Sequence, residues 1–333
     1  MRTAWVKSLS VGIERAMKAI RADKLTKIYG HLVAVDHISF EIEEGEIFGF
    51  LGANGAGKTS TVMMLATALN PSSGTATVCG YDIIKERDKV RESIGIVFEE
   101  LSLDTNLTAK ENLDFHARLY HLPRKVKDER ISQALDLVEL KDKQNVLVKH
   151  YSGGMQRRLE IARGMLNSPK VLFLDEPTLG LDVQTRRLLW DYAKKLNRES
   201  STTILLNTHY VEEADYLCNR VAILGHGKIV MVDTPKALKD SLGSSVLSIK
   251  FPQGALANEF LGLLNGMSWV KKIHRHDAQL ELTVGDRGMK IPEVVRLARQ
   301  HGFVVSAIGE HKPSLEDVFL HYVGKKLQGE EHE

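Results

Sequence analysis

The 333-residue chain is poor in cysteine, with only Cys79 and Cys218. Two distant thiols make neither a disulfide framework nor the paired spacing of a zinc ribbon. Both read as small buried side chains in a reducing, cytosolic setting. Long apolar runs are also missing: no stretch reaches the ~18 uninterrupted apolar residues that suggest a membrane span. An excess of one charge is absent. Basic residues number 45 and acidic ones 43, a net of +2, which is too balanced to indicate a nucleic-acid binder. There is no internal repeat and no low-complexity tract. What remains is ordinary globular material, 43% apolar and 26% charged, long enough for two domains of ~100–200 residues each.

The N-terminus, MRTAWVKSLSVGIERAMKAIRAD, is not a secretion signal, because Lys7, Glu14, Arg15 and Lys18 interrupt any apolar core. Trp5, Leu9, Ile13 and Met17 recur every four residues and Ile20 continues the stripe, which predicts a helical extension over residues 1–20. Arg2, Lys7, Arg15, Lys18 and Arg21 stand around it. A basic amphipathic helix of this kind lies on an anionic membrane surface or packs on its own domain.

Short β-rich runs follow (KLTKIYG, then VDHISFEIEEGEIFGFLG). From Thr59 to residue 240, the strand runs SIGIVF, VLFLD, TTILLNT and VAILGHGKIV alternate with longer helical patterns. That alternation predicts a parallel sheet with helices on both faces, and continuous apolar strands fit burial on both sides. The rhythm changes at DSLGSS, residues 240–245. Two domains are expected, over residues 21–242 and 243–333. The second reads β-α-β-β-α-β, a small α+β ferredoxin-like module, with a last helix from Ser314. On paper, deleting everything after residue 245 leaves the first domain complete. The module's role is open among dimer support, regulation of closure and substrate binding, with dimer support favoured.

GANGAGKT, residues 52–59, fits G-x-x-x-x-G-K-[ST] between an apolar strand and a helix. Its glycines let backbone N–H groups curl around phosphates, and the helix N-terminus adds its positive end. In such a loop Lys58 contacts the β- and γ-phosphates and Thr59 holds Mg²⁺. VLFLDEP, residues 171–177, ends a buried strand in Asp175 and Glu176. An acid at this strand end reaches Mg²⁺, and a second beside it can orient or deprotonate water. YSGGMQRR, residues 151–158, opens another helix, so its N–H groups are free for an anion. Either it serves a nucleotide held by another copy, or Ser152 is a plain N-cap.

These residues resemble the ATP-binding subunit of ABC transporters over about residues 20–240. The P-loop, YSGGM, VLFLDEP, LGLD (residues 179–182) and Thr208-His209 stand in that family's order. YSGGM together with PSLEDVFLHYVG, residues 313–324, is similar to the drug- and antibiotic-exporter branch (ABC-2 type, daunorubicin-resistance-like). The resemblance implies an α/β P-loop NTPase, a RecA-like core with antiparallel β and helical subdomains. It also implies an ATPase chain that drives export through a separate integral membrane permease. The chain would sit peripherally on the cytoplasmic face and close head to tail as a homodimer around ATP and Mg²⁺, with no nucleic acid. Tyr29 would stack on adenine. Gly52, Asn54, Gly55, Ala56, Gly57, Lys58, Thr59 and Ser60 would form the ATP site. Ser152, Gly153 and Gly154 would meet the opposite subunit's γ-phosphate. Asp175 would support Mg²⁺, Glu176 would act as base, His209 would sense the γ-phosphate and Asp182 would communicate across the dimer.

One position departs from the family. GIVFEELSLD, residues 95–104, carries Glu99 where the family has glutamine. A carboxylate offers an oxygen of similar reach, so Mg²⁺ contact survives, but it adds negative charge near the γ-phosphate. Burial would favour its protonated form. Glu99 is expected to remain functional, and Glu100 to be a solvated neighbour. Two rival readings are a soluble ATPase acting on ribosomes or DNA, and an inactive structural subunit. The single P-loop, the lack of a basic excess and intact Lys58, Asp175 and Glu176 weigh against them. His274 and His276 alternate on one predicted strand, but a metal would need further ligands.

Overall fold

Strand β1 (Lys18–Tyr29) turns at Gly30, whose φ of 57° is easy only for glycine, and returns as β2 (Leu32–Glu43). The computed structural model describes residues 18–242, 245–252, 258–276, 279–284 and 290–329. The expected N-terminal helix lies mostly outside the described residues. Its last part, Lys18–Ile20, is strand instead. Ile20 pairs with Ile42 on one side and Val78 on the other, and two ladders override the four-residue stripe. Lys18 and Arg21 meet Glu41 across the same pair. With β4 (Ser73–Val78) and β5 (Tyr81–Asp82), these strands form an antiparallel sheet of order β2-β1-β4-β5.

The central sheet positions the site. It takes β3 (Ile47–Gly52), β6 (Ile94–Val97), β7 (Val171–Asp175), β8 (Thr203–Thr208), β9 (Arg220–Gly225) and β10 (Lys228–Asp233) in the order β10-β9-β3-β8-β7-β6. All neighbours are parallel except β9 and β10. Every residue of β3, β7 and β8 is buried, as continuous apolar runs require. Parallel strands put their C-terminal ends along one edge, where ligands bind in open α/β sheets. The run VAILGHGKIV, expected as one strand, is a hairpin turning at His226 and Gly227, both with positive φ (49° and 75°).

Helices cover the two faces. One face, with α1 (Lys58–Leu65) and α2 (Arg87–Ser93), packs toward the antiparallel sheet, and Phe40, Phe48 and Phe50 meet there at ring separations of 5.1–6.0 Å. The other carries α3 (Ala109–Leu119), α4 (Arg124–Leu137), α5 (Gly153–Gly164), α6 (Val183–Ser200), α7 (Val211–Leu217) and α8 (Pro235–Ser241). A Thr108–Glu111 capping box starts α3.

The C-terminal module is β11 (Ser245–Lys250), α9 (Asn258–Asn265), β12 (Val270–His276), β13 (Gln279–Val284), α10 (Ile291–Gln300) and β14 (Ala307–His311). Its sheet is antiparallel, in the order β12-β13-β11-β14, around Phe260, Leu280, Leu282 and Val294. The last strand starts at Ala307 rather than Phe303, because Phe303 turns its ring against Phe260, 5.0 Å away.

Helix α11 (Leu315–Gly329) touches the module, where Lys272 donates to the His321 carbonyl (2.8 Å), and also packs on the ATPase side. Leu315, Val318 and Val323 enter the ATPase-side core with Leu217, Leu238 and Leu242. Tyr322 Oη lies 3.4 Å from Ser241 Oγ. A deletion after residue 245 therefore removes part of that core as well as the module. Leu315→Ala is expected to cost about 2–4 kcal/mol and to lower the apparent melting temperature by several degrees in calorimetry. An unmoved transition would show that α11 lies outside the cooperative core.

Candidate functional site

The ends of β3, β6, β7 and β8 converge on an open cleft of ≈ 420 Å³. Its walls include Tyr29, Asn54, Gly55, Gly57, Lys58, Thr59, Ser60, Glu99, Glu176 and His209, all expected from sequence, and Leu32, Ala34 and Leu179, which were not. Gly52 and Ala56 lie buried behind the loop. Asp175, 2% exposed, lies beneath it.

The loop conformation depends on two glycines. Gly55 and Gly57 have φ of 80° and 94°, the left-handed region that side chains resist. At Gly57 space is missing as well: a Cβ would stand 2.3 Å from the Ala34 carbonyl oxygen, whereas at Gly55 it would meet nothing.

Lys58 is 5% exposed. Its ammonium donates to the carbonyls of Gly52 (2.9 Å) and Ala53 (3.2 Å) and stands 3.7 Å from Glu176 Oε1. Burial holds its pKa below the usual lysine range, and Glu176 and Asp175 oppose that. Burial likewise pushes the Asp175 carboxyl up, against the hydrogen bond it accepts from Asn207. Thr59 Oγ1 lies 3.4 Å from Asp175 Oδ1 and 3.4 Å from the Asn207 amide nitrogen. Hydroxyl and carboxylate oxygens so close suit a hard divalent cation such as Mg²⁺, completed by phosphate oxygens. Among the described residues no three His, Cys, Asp or Glu side chains gather as a protein-only metal cage, His274 included; the His276 side chain lies outside them.

Glu176 is held from several directions. Its backbone has φ of 47°, a conformation costing about 1–3 kcal/mol for a residue with a side chain. Its N–H donates to the Asn207 carbonyl (2.8 Å) and its carbonyl accepts from Arg157 (3.2 Å). Oε2 lies 2.8 Å from His209 Nδ1, a close contact not aligned as a hydrogen bond, and accepts the His209 backbone N–H at 3.4 Å. Glu99 and Glu100 are both exposed, and only Glu99 lines the cleft.

A second group stands apart. Ser152 caps α5, accepting from the Met155 N–H at 3.3 Å. Asp182 caps α6 through Thr185, at 2.9 Å to its N–H and 2.6 Å to its hydroxyl. The two helix starts touch: a Cβ on Gly154 would lie 2.3 Å from Thr185 Cγ2, and one on Gly153 would lie 3.6 Å from Leu181. None of Ser152, Gly153, Gly154 or Asp182 lines the cleft.

Sequence reading missed three supports. Arg157 holds the main-chain carbonyls of Glu99 and Glu176. Asn207 bridges Asp175 and Thr59. Glu213, fully buried, accepts from Thr178 Oγ1 (3.0 Å) and Trp190 Nε1 (2.8 Å), tying the helix after His209 to the loop after Glu176. Asn207, a lone amide next to the end of an apolar strand run, gave a faint signal. Nothing in the spacing of Arg157 or Glu213 did.

Residues 35–179 match the family model described as "ABC transporter", and residues 234–323 match "ATP-binding protein DrrA1-3-like, C-terminal domain". The daunorubicin/doxorubicin resistance ATP-binding protein DrrA of Streptomyces peucetius is 38% identical over 92% of this chain and 93% of its own length. The Nod factor export ATP-binding protein I of Sinorhizobium fredii is 36% identical over 93% of this chain and 87% of its own. The dimeric post-hydrolysis structure of the ATP-binding cassette MJ0796 with ADP and Pi superposes with a TM-score of 0.59 at 27% identity, covering 65% of this chain and 98% of that one. The chain belongs to the ATP-binding subunits of ABC transporters and is an ABC ATPase. Among its described residues no helix is long and apolar enough to cross a membrane.

The two glycines separate strain from collision. Gly55→Ala is expected to weaken ATP binding by about tenfold and Gly57→Ala by about a hundredfold or more. Nucleotide titration reads both, and equal losses would contradict the Ala34 contact as the cause.

Proposed function

We propose that this chain binds and hydrolyses ATP to drive export through a separate membrane permease, at the cytoplasmic face of the membrane. Two copies close head to tail, so that each cleft is completed by the other copy's Ser152, Gly153 and Gly154. The observation that carries this reading is the separation of the two groups: a phosphate-binding cleft, and an exposed helix start with its own N–H groups that does not reach it. The dimeric MJ0796 cassette and the words "resistance" and "export" in the relatives' names support closure and direction.

Each residue has a role its environment fits. Tyr29 is 45% exposed and stands at the cleft mouth, where a flat ring can stack on adenine. The backbone of residues 52–60 wraps the phosphates, and Lys58, already desolvated, answers their charge at close range. Mg²⁺, which Thr59, Asp175 and Glu99 would hold, would neutralise charge that develops on the transferred phosphoryl group. Glu176 orients the attacking water and accepts its proton. His209, touching Glu176, faces the γ-phosphate. Asp182, beside the helix start that meets the second copy, relays closure.

Two tests follow. From membranes solubilised in mild detergent, the tagged chain should bring down an integral membrane protein of several spans in stoichiometric amount. Recovery only in the soluble fraction, alone or with ribosomes or DNA, would support a permease-free ATPase. Glu99→Gln should change turnover by less than about tenfold, roughly 1.4 kcal/mol. A hundredfold gain would show that Glu99 impairs the native site.

A further inference from the structure

Helix α5 sends two consecutive arginines in different directions. Arg158 stays within the helical layer, donating to the Val138 carbonyl (3.2 Å) and Tyr192 Oη (3.4 Å). Arg157, only 4% exposed, reaches the edge of the central sheet. Its Nη1 donates to the Phe98 carbonyl at 2.6 Å, and its Nη2 donates to the carbonyls of Glu99 (2.8 Å) and Glu176 (3.2 Å). These carbonyls belong to the ends of β6 and β7, which are neighbours in the sheet through Val97 and Leu174. A planar guanidinium can hold carbonyls from two strand ends at once, and a lysine ammonium cannot reproduce that fork.

We infer that Arg157 is a positioning residue, which fixes the main chain of Glu99 and Glu176 to the helix whose N-terminus carries Ser152. This rests on the reading of Glu176 and Ser152 given above. Arg157 does not line the cleft, so it acts through the carbonyls it holds. The Glu176 main chain is the strained point, at φ 47°, and such a conformation persists only where surroundings over-determine it. Movement of α5 as its N-terminus engages a second nucleotide would then move Glu99 and Glu176 in the same chain. The buried cation also lies within the field of Glu160, Glu99 and Asp175, which offsets part of the negative charge around the cleft.

Arg157→Lys and Arg157→Gln, with Arg158→Gln as control, would be made in the full chain. Both Arg157 variants are expected to bind MgATP within threefold of wild type while kcat falls at least thirtyfold. Arg158→Gln should keep kcat within threefold. In hydrogen exchange, peptides covering residues 98–102 and 176–181 should exchange at least tenfold faster in the Arg157 variants, with residues 52–60 unchanged. Wild-type-like kcat and exchange would overturn the inference. So would equal loss of nucleotide affinity and kcat, a uniform rise in exchange, or an equal kcat loss in Arg158→Gln; each would make Arg157 a general brace of the fold. A wild-type chain that hydrolysed no ATP would refute the ATPase reading instead, and the exchange pattern would still decide whether Arg157 holds the two loops.

Discussion

A lysine ammonium and a glutamate carboxylate stand 3.7 Å apart, both nearly excluded from solvent, at the edge of an apolar sheet. Burying such charges is costly unless each is paired and hydrogen-bonded. Lys58 is satisfied by two loop carbonyls and by Glu176; Glu176 is fixed by Lys58, His209, Asn207 and Arg157. The arrangement is possible only because four parallel strands end side by side. β3 delivers the loop that carries Lys58, β6 delivers Glu99, β7 delivers Asp175 and Glu176, and β8 delivers His209. The apolar layers on both faces, with Phe48, Phe50 and Phe173 fully buried, make those strand ends rigid enough to keep a left-handed Glu176 in place.

The same edge leaves the site unfinished on one side. The cleft is open, and the helix start bearing Ser152 packs on the helix start bearing Asp182, away from it. An exposed N-terminus with free N–H groups attracts anions, and its exposure fits a role in a partner's site better than in its own. Arg157 and Glu213 are two of the side-chain links between these two regions. The first bonds to the Glu99 and Glu176 main chain, the second to Thr178 and Trp190. Through α11, the C-terminal part of the chain also bears on the helix that follows His209, because Leu315 and Val318 share a core with Leu217.

What the sequence disclosed and what it hid divide along physical lines. The P-loop was legible because only glycine tolerates the backbone at positions 55 and 57, so the chemistry leaves a composition signal. The parallel strands were legible as unbroken apolar runs. Lys18–Ile20 misled because apolar residues four apart also suit a strand interrupted by irregular pairing, and the partners Ile42 and Val78 are distant in sequence. The β9–β10 turn was hidden because His226 takes a positive φ seldom read from histidine. The docking of α11 and the bonds of Arg157 depend on tertiary contacts and on main-chain carbonyls, which carry no residue-type signature.

The central claim is that one chain holds half of each hydrolytic site and a second copy supplies the rest. Light scattering on Glu176→Gln, in which hydrolysis should be too slow to reopen a closed pair, tests it most directly. The account predicts one chain mass without nucleotide and twice that mass with ATP, with the increase abolished by adding Ser152→Arg. A mass that stays at one chain with saturating ATP, or a pair that forms regardless of ATP and of Ser152, would contradict it.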